Sequence, residues 1–244
     1  MTLAEFAEKL IEIAENVSKV FKAGKKSQYD EFWDDFQQNG NRTNYTGAFG
    51  SQWTTQTFKP KYPIRPTNAN FMFYDNSGGK IIIPDFVEYC EENNVVLDFS
   101  NCTVASYGIG CLHSNHYGVL DFSKCTTLAS LFYLHNCATG VKKIDKFKVT
   151  EATTFNVSKN TAGTFYQATY LTDITIDGKI GKSIDFSQCT SLSRASIESV
   201  ISALSSNVSG QTASFSKAAI YKVFTETAWE DLIAPITNWN ISEV

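Results

Sequence analysis

The sequence predicts an α/β fold: a short solenoid of about five coils, each of 21–23 residues, with helices before it and a C-terminal helical cap after it. Three observations lead there. Phe99, Phe122, Ile144, Phe165 and Phe186 follow one another at intervals of 23, 22, 21 and 21. Cys102, Cys125, Phe147, Ala168 and Cys189 stand three residues after each. Two further apolar columns keep the period: Ala105, Leu128, Val149 or Thr150, Leu171 and Leu192; then Leu112, Leu134, Phe155, Ile176 and Ile197. Coils that stack on one another bury such columns between neighbours.

The first segment, 1–40, reads as helical. Leu3, Phe6, Leu10, Ile13, Ala14, Val17 and Phe21 recur at helical spacing, and Thr2 with Glu5 forms a capping box. Gly24, Lys25 and Lys26 stop that helix. A second helix over 28–38 gathers Tyr29, Phe32, Trp33 and Phe36 on one side. These two helices either cap the solenoid end or pair between subunits as a homo-oligomer contact. Residues 41–70, with Pro60, Pro63 and Pro66, read as an extended connector.

The solenoid is assigned to 71–206, opening with short strands at Phe71-Met72-Phe73-Tyr74 and Ile81-Ile82-Ile83, and a short helix from Pro84 to about Asn93. The cap, 207–244, follows a helix over 196–206. It holds helices over about Ser216 to Glu226 and Ala228 to Ile233, before Pro235, and a last strand at Trp239-Asn240-Ile241-Ser242 that can extend a sheet edge.

Composition narrows the function. With 43% hydrophobic residues the chain can bury a large core, and 21 basic against 25 acidic side chains, with no basic block, argue against nucleic-acid binding. No stretch has the apolar length of a membrane span, so no membrane insertion is expected. The opening lacks the basic start and apolar middle of a secretory signal, so the expectation is a chain made in the cytoplasm and kept there until something else exports or releases it. Six cysteines without a Cys-x-x-Cys pair suggest neither a disulfide scaffold nor a zinc ribbon.

The units Phe165-x-x-Ala168-x-x-Leu171-x-x-Ile174-x-Ile176 and Phe186-x-x-Cys189-x-x-Leu192-x-x-Ala195-x-Ile197 resemble BspA-like leucine-rich repeats, where a Phe-x-x-Cys turn precedes a Leu-x-x-Ile-x-Ile strand. The resemblance covers roughly 97–198 and implies a leucine-rich-repeat-like solenoid; it departs from the pattern at Ala105 and near Ile144. A second resemblance spans the chain. Ile13-Ala14-Glu15-Asn16-Val17, Ala23-Gly24-Lys25-Lys26, the run from Phe32 to Arg42, and the closing Thr237-Asn238-Trp239-Asn240-Ile241-Ser242 are similar to proteins encoded among phage and prophage tail and structural genes of gut Firmicutes. That implies a virion-associated role in host-surface or virion-protein recognition, and no particular chemistry.

Candidate chemistry is sparse. Cys111, His113, His116, Cys125, His135 and Cys137 lie close together, but Cys102, Cys125 and Cys189 share their column with Phe147 and Ala168, which bind no metal. No metal and no cofactor is therefore expected. No nucleophile elbow is present, and Gly78-Gly79-Lys80 precedes a strand, the wrong context for a phosphate loop. No catalytic residue is assigned; Asp177 and Glu198, on neighbouring coils, are the one carboxylate pair a glycan-degrading tail enzyme could use.

The outward column His113, His135, Asn156, Asp177 and Glu198 instead forms a polar stripe, with Phe132, Tyr133, Thr175 and Ser196 beside it. The expected binding residues are Phe132, Tyr133, His135, Asn156, Thr175 and Asp177, and the expected partner is a protein or a surface glycan. The competing readings are a glycan-degrading tail enzyme and a cytoplasmic phage protein that binds a host protein.

Overall fold

The computed structural model describes residues 9, 45, 63–72, 86–107, 109–110, 116–134 and 140–244. The chain divides into two units, Met1–Asn41 and Arg42–Val244, and every described residue except Lys9 belongs to the second. The expected N-terminal helices, including the aromatic helix and its capping or pairing role, lie outside the described residues, as do the strand at 81–83 and most of the connector.

Among the described residues nine strands form three sheets, all with parallel pairing. β1 (Ala105–Ser106), β3 (Thr127–Ala129) and β5 (Thr154–Phe155) make the first. β2 (His116–Asp121), β4 (Lys143–Lys148) and β6 (Asp173–Asp177) make the second. β7 (Ile184–Phe186), β8 (Gln211–Phe215) and β9 (Trp239–Glu243) make the third. From β1 to β6 the chain alternates between the first two sheets, so consecutive strands do not pair there.

This corrects the expected architecture. The described residues are mixed α/β, but they do not build a leucine-rich-repeat-like solenoid of five 21–23-residue coils; three separate, unclosed sheets stand in its place. The register shows why. Asp121 pairs with Lys148, 27 residues on, and Ile144 pairs with Ile174. Each turn of chain supplies strands to two sheets, and the connections 130–142 and 156–172 lengthen the spacing. The column Leu134, Phe155, Ile176, Ile197 therefore breaks up: Phe155 pairs with Leu128 in the first sheet, Ile176 with Phe147 in the second, and Ile197 is helical. Phe71 and Met72, expected in a strand, sit in a turn, with Phe71 at φ 54°.

What recurs near the expected period is a turn. In Asp98-Phe99-Ser100-Asn101-Cys102 the Asp98 carboxylate accepts from the Ser100 N–H at 2.8 Å, and the Cys102 N–H donates to the Phe99 carbonyl at 2.8 Å. The same pair of bonds closes Asp121-Phe122-Ser123-Lys124-Cys125 (3.0 and 2.9 Å) and Asp185-Phe186-Ser187-Gln188-Cys189 (2.7 and 2.9 Å). The Asp side chain imitates a backbone turn, and the Phe between is thrown inward.

Those phenylalanines build the core. Phe99, Phe122, Phe147, Phe165, Phe186 and Phe215 are all buried, with successive ring centroids 5.3, 6.0, 6.1, 4.2 and 6.1 Å apart. Ile144 is also buried, but Phe147 takes its place in the aromatic stack. Phe165 joins the sheets, because it meets Phe147 of β4 and Phe155 of β5 at 6.1 and 6.5 Å.

Four helices complete the described fold: α1 (Phe86–Glu92), α2 (Arg194–Ala203), α3 (Lys217–Val223) and α4 (Glu226–Ile233). Ser193, Ser216 and Thr225 cap the last three, each side chain accepting from a backbone N–H three residues on. Helix α2 buries Ile197, Val200 and Ile201. At the C-terminus, Trp229 of α4 meets Phe215 at 5.8 Å and donates its indole N–H to Glu243 at 2.7 Å, which ties β9 down. No helix among the described residues is long and apolar enough to cross a membrane.

Candidate functional site

The site begins with a backbone detail. The N–H groups of Phe71, Tyr107 and Ser130 donate in turn to Ser106, Ala129 and Ala162 carbonyls, so these three residues hold one position in successive layers. All three have left-handed backbone, with φ of 54°, 53° and 49°. Bulky residues seldom adopt that conformation, and here the N–H of each is bonded into the next layer of chain. Because Phe71 and Tyr107 share the position, their rings stack at 4.9 Å and 8°, one strand spacing apart.

The row continues. Tyr107 meets Tyr133 edge-on at 6.2 Å, and Tyr133 meets Tyr166 at 5.3 Å. Gly110 permits the approach: a Cβ there would lie 1.9 Å from the Tyr133 carbonyl oxygen. Phe71 is exposed, and Tyr107, Tyr133 and Tyr166 are half-buried. Burial, then neighbouring Tyr166 and Tyr107, push the Tyr133 hydroxyl above its ordinary pKa, so it stays protonated and able to donate at neutral pH.

At Tyr166 the row opens into a shallow depression of about 190 Å³, open solvent included, lined by Asn156, Ser158, Gly163, Phe165, Tyr166, Asp185, Ser187 and Gln188. Gly163 is required by the close approach of the Ser158 carbonyl, which a Cβ would meet at 2.1 Å. Three lining side chains are held by their own oxygens. Asn156 Oδ1 accepts from the Ser158 N–H at 3.0 Å, Asp185 Oδ1 from the Ser187 N–H at 2.7 Å, and Gln188 Oε1 from the Gln167 N–H at 3.0 Å. Each keeps a second polar atom with no protein partner among the described residues: the Asn156 NH2, Asp185 Oδ2 and the Gln188 NH2.

The expected binding residues separate. Tyr133 and Asn156 come together around Tyr166. Phe132 is corrected from surface to core: backbone bonds set it in register with Ile109 and Phe165, and its ring stacks on Phe165 at 4.8 Å and 12°. Thr175 and Asp177 are exposed on β6, in the second sheet, whose outward face carries a charged network instead. There His116 and Lys143 reach Asp145 at 2.6 and 3.3 Å, and Lys148 reaches Asp121 at 3.5 Å. His135 and His113 lie outside the described residues. Glu198 is on α2, not on a strand, and bonds Arg194 at 2.8 Å, so it does not continue the stripe through Asp177.

Sequence reasoning missed Tyr107, Tyr166, Asp185 and Gln188. The Asp-Phe-Ser-x-Cys repeat was the available signal for Asp185 and Gln188, whereas the tyrosines keep no fixed spacing.

Among the described residues no group of three His, Cys, Asp or Glu side chains is placed to hold a metal. Cys90, Cys102, Cys125 and Cys189 are free thiols, all buried. Burial, and then the Glu91 charge, push the Cys90 thiol up to about 12, and burial raises that of Cys189 as well. No family model, no curated protein and no solved structure matches the chain.

Proposed function

We propose that this protein is a non-enzymatic recognition protein of a phage or prophage particle, which contacts a host surface or another virion protein. The observation that carries the reading is the aromatic row Phe71, Tyr107, Tyr133 and Tyr166 running into a polar depression. Its residues sit in turns held by backbone hydrogen bonds, Phe71 to Ser106, Tyr107 to Ala129, Tyr133 to Ser130 and Tyr166 to Gly163, so little ordering entropy is lost when a partner binds. Tyrosine supplies apolar area together with a hydroxyl, the combination that recurs at recognition surfaces.

The particle context is supported by the resemblance of the opening and closing segments to phage structural proteins. The burial of the free thiols Cys90, Cys102, Cys125 and Cys189, with Cys90 and Cys189 also raised in pKa by that burial, supports a passive scaffold over thiol chemistry. Mass spectrometry of purified particles tests the proposal. The protein is expected among the particle components at a fixed ratio to the tail proteins. Its absence from particles that are complete and infectious would overturn the context.

A further inference from the structure

We infer that the depression at Tyr166 is a subsite for a neutral oligosaccharide, with sugar rings lying against Tyr133 and Tyr166 and sugar hydroxyls reaching Asn156, Asp185 and Gln188. The inference rests on the recognition reading above and names the ligand chemistry of that same surface. A pyranose presents an apolar C–H face and a rim of hydroxyls, each both donor and acceptor. Tyr133 and Tyr166, 5.3 Å apart, offer adjoining ring faces and edges. The depression offers two amide NH2 groups as donors and Asp185 Oδ2 as acceptor, the set that vicinal hydroxyls require.

The internal hydrogen bonds sharpen this. Each of the three side chains spends one oxygen on a backbone N–H, at 2.7–3.0 Å, and so is fixed in place with its other polar atom left over. A group positioned in this way loses little freedom on binding. The residues lining the depression include a carboxylate and no Lys or Arg, so a phosphate or an acidic glycan is disfavoured. The shallowness suits a ligand laid across a surface better than a small molecule enclosed by it.

The test is titration of the 15N-labelled full chain with neutral glucan, mannan and galactan hexasaccharides, with a galacturonate hexamer as the anionic control. The side-chain NH2 signals of Asn156 and Gln188 report on the subsite. At least one neutral hexasaccharide is expected to shift both pairs in a saturable manner. Asp185→Asn, Asn156→Asp and Gln188→Glu keep the oxygen that bonds the backbone and change only the leftover atom. Each should weaken binding about tenfold or more with an unchanged melting temperature, as should Tyr166→Ala. Thr175→Ala, on the second sheet, should bind as the parent does.

No shift with any neutral probe, preferential binding of the galacturonate hexamer, or parental affinity in the three exchange variants would each overturn the subsite. If the chain binds host cells but no hexasaccharide, the oligosaccharide inference fails and the recognition reading stands on a protein partner. If it binds a hexasaccharide but is absent from particles, the reverse holds.

Discussion

Phe165 lies with its ring centroid 4.2 Å from that of Phe186, and it is at once in contact with Phe132, Phe147 and Phe155. One side chain thus links the first two sheets to the turn that opens the third. Phe165→Ala should destabilise the fold by about 3–5 kcal/mol, since both the transfer of the ring and the cavity it leaves act in one direction. Urea denaturation followed by tryptophan fluorescence measures this. A loss below about 1 kcal/mol would mean that Phe165 is not the junction of the core.

Tyr117 gives a prediction of opposite sign. Its ring packs on Phe99 at 6.5 Å, yet its hydroxyl is buried with no hydrogen-bond partner among the described residues. Burial also drives its pKa well upward, so the group stays neutral and unpaired. Tyr117→Phe removes an unsatisfied buried hydroxyl and should stabilise by about 0.5–2 kcal/mol, part of the usual desolvation penalty. A loss of more than 1 kcal/mol on this substitution, in the same urea experiment, would show that the hydroxyl is satisfied in solution.

Asp121 carries the pH dependence. Burial pulls its pKa upward, but the Ser123 hydroxyl and N–H and the Lys148 charge outweigh it and hold the carboxylate below the usual range. A depressed carboxylate contributes stability that is present above its unfolded pKa of about 3.9 and is lost as pH falls through the lower folded value. Asp121→Asn retains an acceptor for Ser123 and loses the charge, so its stability should fall less steeply than the parent's below pH 4. Parallel acid-unfolding curves would contradict the assignment.

The buried thiols predict slow chemistry. In a Cys111→Ser, Cys137→Ser background, the remaining four cysteines should react with an aromatic disulfide reagent at pH 8 only as fast as the protein unfolds. All four are buried, so access requires opening of the core, and burial suppresses the thiolates of Cys90, at about 12, and of Cys189. Rapid labelling of any one of them in the folded protein would contradict that packing. Chelator should leave the melting temperature unchanged.

The contrast between sequence and structure follows from what periodicity records. A column of inward phenylalanines reports that a turn returns at a fixed interval, and Phe99, Phe122, Phe165 and Phe186 did mark such turns. It does not report how many strands lie between turns, nor which strand each joins. Two parallel sheets fed alternately leave nearly the same apolar trace as one continuous sheet. Ile144 keeps the interval, while Phe147, three residues on, keeps the contact. Phe132 read as outward because it precedes Tyr133 and Leu134, and only its register with Ile109 and Phe165 shows it to be core.

The C-terminal elements are legible in outline, though the helix expected over about 216–226 ends at Val223 and the next begins at Glu226. Ser216 and Thr225 cap helices, Pro235 follows the last one, and Trp239 begins an alternating strand. The site was legible in part. Tyr133 and Asn156 were picked out by position beside an apolar column. Tyr166, Asp185 and Gln188 join them only through the fold, across β5, β7 and the turn between.

The central claim is that recognition runs through the row ending at Tyr166, and cell binding tests it most directly. The full chain, fluorescently labelled at its N-terminus, is incubated with host bacteria beside a Tyr133→Ala, Tyr166→Ala variant whose circular dichroism matches the parent. The account predicts saturable binding by the parent and at least a tenfold loss by the variant, with Thr175→Ala unaffected. Equal binding by parent and double variant would contradict it.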